Sequence, residues 1–235
     1  MANFKISKRV ISIFKIVLPF LLLINACNTK PSANLILNGS AELPKYDSIP
    51  PGWQIINGSW KSIEGDTSHH DYAWAQDGKH IFFEGNDSLG ILQQQVNVDE
   101  FKSAIDAHKQ KFVFIGYVQA FPQEPPDQSS IIVNCLNASK TKTLYTFNSD
   151  TISSESKWKH VTDTFAAPPL TRFISINLIA HRRNGSDNDG YFDNISLVAL
   201  PSQNYLSIII IITILIIAIG IFVYFRKKKF NKKAK

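Results

Sequence analysis

Hydrophobic and polar residues alternate along much of the chain between residues 34 and 200. The clearest runs are residues 112–121, 131–135 and 174–181. In each run every second position is apolar, which is typical of a β-strand with one buried face. Cys135 falls on the apolar side of its run, so we expect its thiol to be buried.

One stretch departs from this alternation. In residues 99–109 the apolar side chains recur at helical spacing, which predicts a single helix. Elsewhere turn-forming pairs such as Asn38-Gly39 and Asp77-Gly78 separate the runs. Many short strands with regular turns predict an all-β antiparallel sandwich. Residues 34–200 are long enough for one well-packed domain and too short for two.

An uninterrupted apolar stretch, residues 205–225, follows this domain and contains no charged residue. At about 1.5 Å of rise per residue, a helix of this length spans a hydrocarbon core of about 30 Å. Seven of the ten residues in the tail 226–235 are basic, which favours the cytoplasmic side. The sequence therefore predicts a transmembrane helix, a cytoplasmic C-terminus and a domain on the outside of a plasma or inner membrane.

Residues 1–27 have the form of an export signal. Four basic residues precede the apolar run 16–24, which is too short to be a second span, and Ala26 and Cys27 follow. One interpretation is a lipoprotein signal, in which Cys27 becomes lipidated, although Asn25 departs from that pattern. The alternatives are ordinary cleavage near Ala26 or a retained signal anchor, with Cys27 incidental.

The net charge of +6 indicates how the chain is oriented in a membrane and does not indicate a nucleic-acid partner. Twelve basic residues lie in the segments 1–30 and 226–235, whereas every acidic residue lies between them. The segment between them is therefore negative, which excludes nucleic acid as the expected ligand. Two cysteines do not form a disulfide framework.

Several stretches, in order, carry a family resemblance; they are residues 34–42, 51–53, 58–60, 77–80, 90–94, 158–165 and 191–197. Together they resemble the galactose-binding-like jelly rolls, which include carbohydrate-binding modules of the 4/9/22 type. The resemblance covers residues 34–200 and implies a jelly-roll β-sandwich. Ala41 stands where the relatives commonly have an aromatic residue.

The resemblance also implies a structural calcium ion that bridges the first and last strands. By position Glu42 and Asp193 would be its carboxylate ligands, with backbone oxygens near Gly78 and Lys79 completing the shell. A hard cation of this kind takes six to eight oxygen ligands. The alternative is that both are ordinary solvated or capping acids of turns.

Sugar binding needs aromatic faces that stack on pyranose rings and planar polar groups for the hydroxyls. Trp53 and Trp158 match positions that pack inside the fold. The predicted binding residues are Trp60, Tyr72, Trp74, Tyr117, Gln119, Asn177 and Arg182. For each of them the alternative is a plain solvated sheet face.

The sequence contains no nucleophile elbow, no Gly-rich phosphate loop and no recognisable pair of catalytic carboxylates. It therefore predicts a non-catalytic module that binds a polysaccharide or glycan at the cell surface. The alternative is a structural or adhesive protein that binds a protein partner in the envelope.

Overall fold

The protein is described by a computed structural model that covers residues 30–43, 49–65, 74–155, 157–202, 212–222 and 224. The chain divides into a compact unit, Lys30–Ser202, and a second unit formed by Met1–Thr29 and Gln203–Lys235. In the second unit, residues 212–222 and 224 are helical. Among the described residues no helix has the length and hydropathy needed to cross a membrane. The predicted export signal, with Cys27, and much of the predicted span lie outside the described residues.

The unit Lys30–Ser202 is built almost entirely from β-strands. Its elements, in chain order, are β1 (Gln54–Asn57), β2 (Lys61–Glu64), β3 (His80–Gly85), β4 (Leu89–Asn97), a 3₁₀ turn (Asp99–Phe101), α1 (Lys102–Asp106), β5 (Lys111–Ala120), β6 (Gln128–Leu136), β7 (Thr143–Asn148), β8 (Lys159–Ala166), β9 (Phe173–His181) and β10 (Asn188–Ala199). The 3₁₀ turn and α1 confirm the helix predicted at residues 99–109.

The strands form two five-stranded sheets. Sheet A has the order β1-β4-β9-β6-β7, and sheet B has the order β2-β3-β10-β5-β8. Every pair of neighbouring strands is antiparallel. The all-β antiparallel sandwich predicted from the alternation of the sequence is therefore confirmed.

The main hydrophobic core lies between the two sheets. It takes the inward residues of the central strands, among them Phe114 of β5, Val133 of β6 and Ile176 of β9, all fully buried. Their neighbours in sequence point away from the core, as the period of two in the strands requires. Cys135 is buried with them as a free thiol, as predicted.

A second, smaller cluster lies on the opposite side of sheet B. Its buried members are Ile81, Phe83 and Tyr191, whose neighbours Phe82 and Phe192 point into the main core. Four half-buried side chains pack over it; they are Ile63, Ala75, Phe121 and Trp158. The outer face of sheet B is therefore partly covered, whereas none of these groups lies on sheet A.

The first described segment lies beside the last strand. The N–H of Leu35 donates to the carbonyl of Leu197 at 2.8 Å, and the N–H of Ile195 donates to the carbonyl of Gly39 at 2.8 Å. A Cβ at Gly39 would stand 2.0 Å from the carbonyl oxygen of Ile195, so only glycine permits this approach. This contact brings Glu42, three residues after Gly39, close to the segment that enters β3 of sheet B.

Candidate functional site

The predicted binding residues are divided between the two sheets, and one of them belongs to the core. Trp60 is only 2% exposed. Its ring packs against Phe192 with a centroid separation of 5.7 Å, and its Nε1–H donates to the carbonyl of Asn57 at 3.1 Å. The prediction that Trp60 presents a face to a sugar is therefore wrong, because the indole is buried in the main core.

Gln119 and Tyr117 lie on the outer side of β5. Gln119 is only 2% exposed, because it lies opposite Tyr191 of the second hydrophobic cluster. Its prediction as an exposed hydrogen-bonding residue is wrong for that reason. Tyr117 is half-buried and packs against His160 with ring centroids 5.0 Å apart.

Among the predicted aromatics that the structure describes, Trp74 is the one that is well exposed on this side, at 63%. Its carbonyl oxygen accepts a hydrogen bond of 2.6 Å from Nε1 of the half-buried Trp158. Trp74, Trp158, Tyr117 and His160 therefore form an aromatic group on the outer side of sheet B, which we call the aromatic face. Tyr72 lies outside the described residues.

Asn177 lies on the other sheet, on the outer side of β9. Its Oδ1 accepts a hydrogen bond of 2.8 Å from Nε2 of Gln93, and Nε2 of Gln95 donates to Oε1 of Gln93 at 2.9 Å. The Nδ2 group of Asn177 donates to Oγ of Ser175 at 3.3 Å. These bonds fix the orientation of three amide side chains in one continuous chain.

The surrounding positions of sheet A continue the same chemistry. Strand register aligns Gln93 with Asn177, Asn177 with Ile132, and Ile132 with Asn148. We define the amide face as a set of outward residues of sheet A, namely Gln54, Ile91, Gln93, Gln95, Ser130, Ile132, Asn134, Thr146, Asn148, Asn177 and Ile179, together with the buried Ser175 that bonds to Asn177.

The amide face contains no charged residue over five neighbouring strands. At one end it is limited by His181, and at the other by Phe173, whose ring lies 4.2 Å from Nζ of Lys140. Three isoleucines lie among its amides and hydroxyls. This surface offers donors, acceptors and apolar patches together, without the strong hydration of an ionic group.

Arg182 lies at the end of β9 and serves the loops around it. Its Nη1 donates to the carbonyl oxygens of Asn86 and Ser186. Its backbone N–H donates to the carbonyl of Ser88 at 2.9 Å. We therefore assign to Arg182 the role of holding two loops together. Its position beyond the end of β9 separates it from Asn177.

Glu42 holds the segment that leads into β3. Its Oε1 accepts 2.7 Å hydrogen bonds from the backbone N–H groups of Lys79 and His80, and its Oε2 faces Nδ1 of His80 at 3.1 Å. Burial alone would raise the pKa of Glu42, but the N–H donors of His80 and Lys79 outweigh it and lower that pKa. Gly78 has φ of +71° and a Cβ there would meet the Glu42 carboxylate.

Asp193 holds the same segment from β10. It is fully buried; its Oδ2 accepts hydrogen bonds from the N–H groups of Gln76 at 2.6 Å and Asp77 at 2.9 Å, and its Oδ1 accepts one from Asn194 at 2.6 Å. Burial raises the pKa of Asp193 to about 7, and these N–H donors offset part of the rise.

The contacts of Glu42 and Asp193 differ from those of a calcium shell. Calcium requires lone pairs from its neighbours, whereas residues 76–80 present N–H groups to both carboxylates. The carbonyl oxygen of Lys79 accepts a hydrogen bond from Gly65. In the described part of the chain no group of three or more His, Cys, Asp or Glu could hold a metal ion. These N–H groups take up lone pairs of both carboxylates, and the calcium ion stays a prediction from the resemblance.

No family model and no curated protein matches the chain. Among solved structures, a cyclase from Fischerella sp. TAU is similar with a TM-score of 0.52 and 16% identity, over 74% of this chain and 100% of the cyclase chain. Family 61 and family 16 carbohydrate-binding modules are also similar, with TM-scores of 0.46 and 0.45 and identities of 14% and 18%. They cover 71% and 70% of this chain, and 98% and 99% of their own. At such identities the cyclase match shows the fold alone, a two-sheet antiparallel β-sandwich.

The amide face contains residues that the sequence analysis missed, among them Gln93, Gln95 and Asn134. Part of the signal was present, because these amides occupy alternate positions of strands whose other positions are apolar except for the buried Gln94. What the pattern did not contain was the pairing of β4, β9 and β6, which places the three strands side by side.

Proposed function

We propose that the domain binds a neutral carbohydrate on the amide face of sheet A and that it does so without catalysis. The observation that carries this proposal is the charge-free surface of amides, hydroxyls and isoleucines across five strands. Each sugar hydroxyl both donates and accepts a hydrogen bond, and a side-chain amide also offers both functions. The isoleucines offer apolar contact to the C–H groups of the ring.

Pre-ordering of the face supports the same proposal. The bonds from Gln95 to Gln93 and from Gln93 to Asn177 hold these side chains before any ligand arrives. Binding therefore costs less side-chain entropy than it would on freely rotating amides. The aromatic face of sheet B is the second candidate, because Trp74 presents an exposed indole there.

The proposal includes the setting of the domain. We place the domain outside a plasma or inner membrane, held by residues 205–225, with the galactose-binding-like jelly roll as its fold family. The apolar stretch and the basic tail of the sequence support this placement. The alternative is an adhesive module whose amide face binds an envelope protein.

A glycan array and calorimetry on the soluble fragment 30–202 test binding at the amide face. This fragment is a compact unit that contains both hydrophobic clusters, so it retains its core. Asn177→Ala removes one hydrogen-bonding amide and the support of Gln93. We expect an affinity about tenfold lower, because one to two hydrogen bonds of about 1 kcal/mol are lost.

Trp74→Ala is the matched control, because it removes an exposed side chain from the opposite sheet. It should leave glycan affinity unchanged. Loss of binding in Trp74→Ala with none in Asn177→Ala would move the site to the aromatic face. A folded fragment that binds no neutral glycan, but captures one envelope protein by crosslinking, would replace the proposal by the adhesive alternative. Turnover of chromogenic glycosides would refute a non-catalytic role.

A further inference from the structure

Charge is unevenly distributed along the unit Lys30–Ser202. The unit contains 14 basic and 19 acidic residues, yet one end of the sandwich is positive. We call this the basic end; its cations are Lys30, Lys102, Lys109, Lys111, Lys140, Lys142 and Arg172, and its carboxylates are Asp99, Glu100 and Asp106. Counted over the residues that the structure describes, seven cations against three carboxylates give this end a net charge of +4.

Backbone contacts place these residues at one end of both sheets. The N–H of Leu200 donates to the carbonyl of Lys111 at 2.9 Å, which joins the start of β5 to the end of β10. The N–H of Arg172 donates to the carbonyl of Leu136 at 2.9 Å, at the turn that contains Lys140 and Lys142. The link between β4 and β5 contributes Lys102 and Lys109. Lys30 lies two residues before Ser32, whose N–H donates to the carbonyl of Ala199 at the end of β10.

The three carboxylates do not neutralise this end. Arg172 pairs with Asp106 at 2.7 Å and with Asp99 at 3.3 Å, and Lys102 pairs with Asp99 at 3.2 Å. Within the described ranges, Lys109 and Lys111 have no carboxylate partner, and both are exposed. Leu170, 64% exposed, lies in the same surface, where its N–H donates to Asp106.

Both ends of the unit leave from the basic end. The N–H of Ser32 donates to the carbonyl of Ala199 at 2.9 Å, and the described chain of this unit ends three residues later at Ser202. Only two residues separate Ser202 from the apolar stretch 205–225. Because an extended residue spans about 3.5 Å, an inserted stretch would keep Ser202 within about 10 Å of the membrane surface.

We infer that the basic end is a docking surface for an anionic lipid bilayer. Lys109 and Lys111 supply charge that no carboxylate of the described residues pairs with, and Leu170 supplies an exposed apolar contact. The opposite end, around the loop before β10, has among its described residues two cations, Arg182 and Arg183, against five carboxylates, which are those of Asp87, Glu124, Asp127, Asp187 and Asp189. The charge therefore orients the domain with its acidic end away from the lipid. This inference rests on the proposed membrane attachment and is independent of the glycan face.

The test is co-sedimentation of fragment 30–202 with vesicles of phosphatidylcholine alone or with about 30% phosphatidylglycerol. The double variant Lys109→Glu/Lys111→Glu reverses two unpaired charges of the basic end. Lys157→Glu/Lys159→Glu is the matched control, since these lysines are exposed, equally spaced and next to the far end of β5. Each lysine near an anionic surface strengthens binding by about fivefold.

Wild-type fragment should bind the anionic vesicles, more weakly as salt rises, and should not bind phosphatidylcholine alone. The Lys109/Lys111 variant should bind at least about tenfold more weakly, and the Lys157/Lys159 variant should bind like wild type. Equal binding by both double variants, binding to neutral vesicles or equal binding to soluble polyphosphate would overturn the inference. Glycan affinity, measured on the same preparations, should be unchanged by both variants, which separates this result from the glycan proposal.

Discussion

Replacing Trp60 by alanine is expected to lower the free energy of unfolding of the domain by about 3–5 kcal/mol. The side chain is 2% exposed and packs against Phe192, so truncation leaves a cavity between the sheets. It also removes the hydrogen bond to the carbonyl of Asn57. Chemical denaturation of fragment 30–202 measures the change directly.

Trp74→Ala is the control for this experiment, because the same residue type is removed from a site that is 63% exposed. Its effect should stay within about 0.5 kcal/mol, and the hydrogen bond from Trp158 should persist because it ends on a backbone carbonyl. Equal effects of the two substitutions would contradict the burial of Trp60. The pair thus distinguishes a core tryptophan from a surface one.

Replacing Asp193 by alanine is expected to destabilise the domain by about 2–4 kcal/mol. The N–H groups of Gln76, Asp77 and Asn194 would all lose their acceptor. The segment that enters β3 would be released from β10. Hydrogen exchange at these three amides, together with denaturant melts, measures both effects.

Asp193 also makes stability depend on pH. Burial raises its pKa from 3.8 to about 7, so between these values the native state holds a proton that the unfolded state has lost. The contribution of this carboxyl group to the free energy of unfolding is therefore complete below about pH 4, and it is lost as the pH rises through 7. From about pH 5.5 to about pH 8.5 the decline is about 2 kcal/mol.

Comparison with Asp193→Asn isolates this contribution, because the amide does not titrate. The wild type should lose about 2 kcal/mol more than the variant over the same pH range. Asp150→Asn, an exposed position with φ of +58° that asparagine tolerates, should follow the wild type. If wild type and Asp193→Asn respond alike, the carboxyl is ionised throughout.

Calcium that raises the wild-type melting temperature at pH 8 would support the ion predicted from the resemblance.

The side of the strand on which a site residue lies was predictable from the sequence, whereas its exposure to solvent was not. The period of two assigned Tyr117 and Gln119 correctly to the outer side of β5, since Phe114 and Val118 point into the core. The period of two did not reveal that a second hydrophobic cluster covers the outer side of sheet B. That cluster forms only because Phe83 of β3 contacts Tyr191 of the neighbouring strand β10. Gln119 therefore lies on the outward side of its strand and is nevertheless buried.

Trp60 illustrates the same limit in a loop. Outside a strand no period fixes the side of a residue, so its burial depends on the segments that meet it. The indole lies between β10 and the start of β4, where a Cβ at Gly90 would approach Nε1 to 3.0 Å. Its sequence neighbours contain no information about that contact.

Local order in the sequence was sufficient for β5, β6 and β9 with their buried sides, for the helix after β4 and for the sandwich class, because alternation and turns act between near neighbours. It was also sufficient for the apolar stretch and basic tail from which we predict a membrane anchor. Strand pairing between distant segments decided the rest. Only that pairing assembles the amides of β4, β9 and β6 into one face, and only that pairing collects lysines from four separate segments at the basic end.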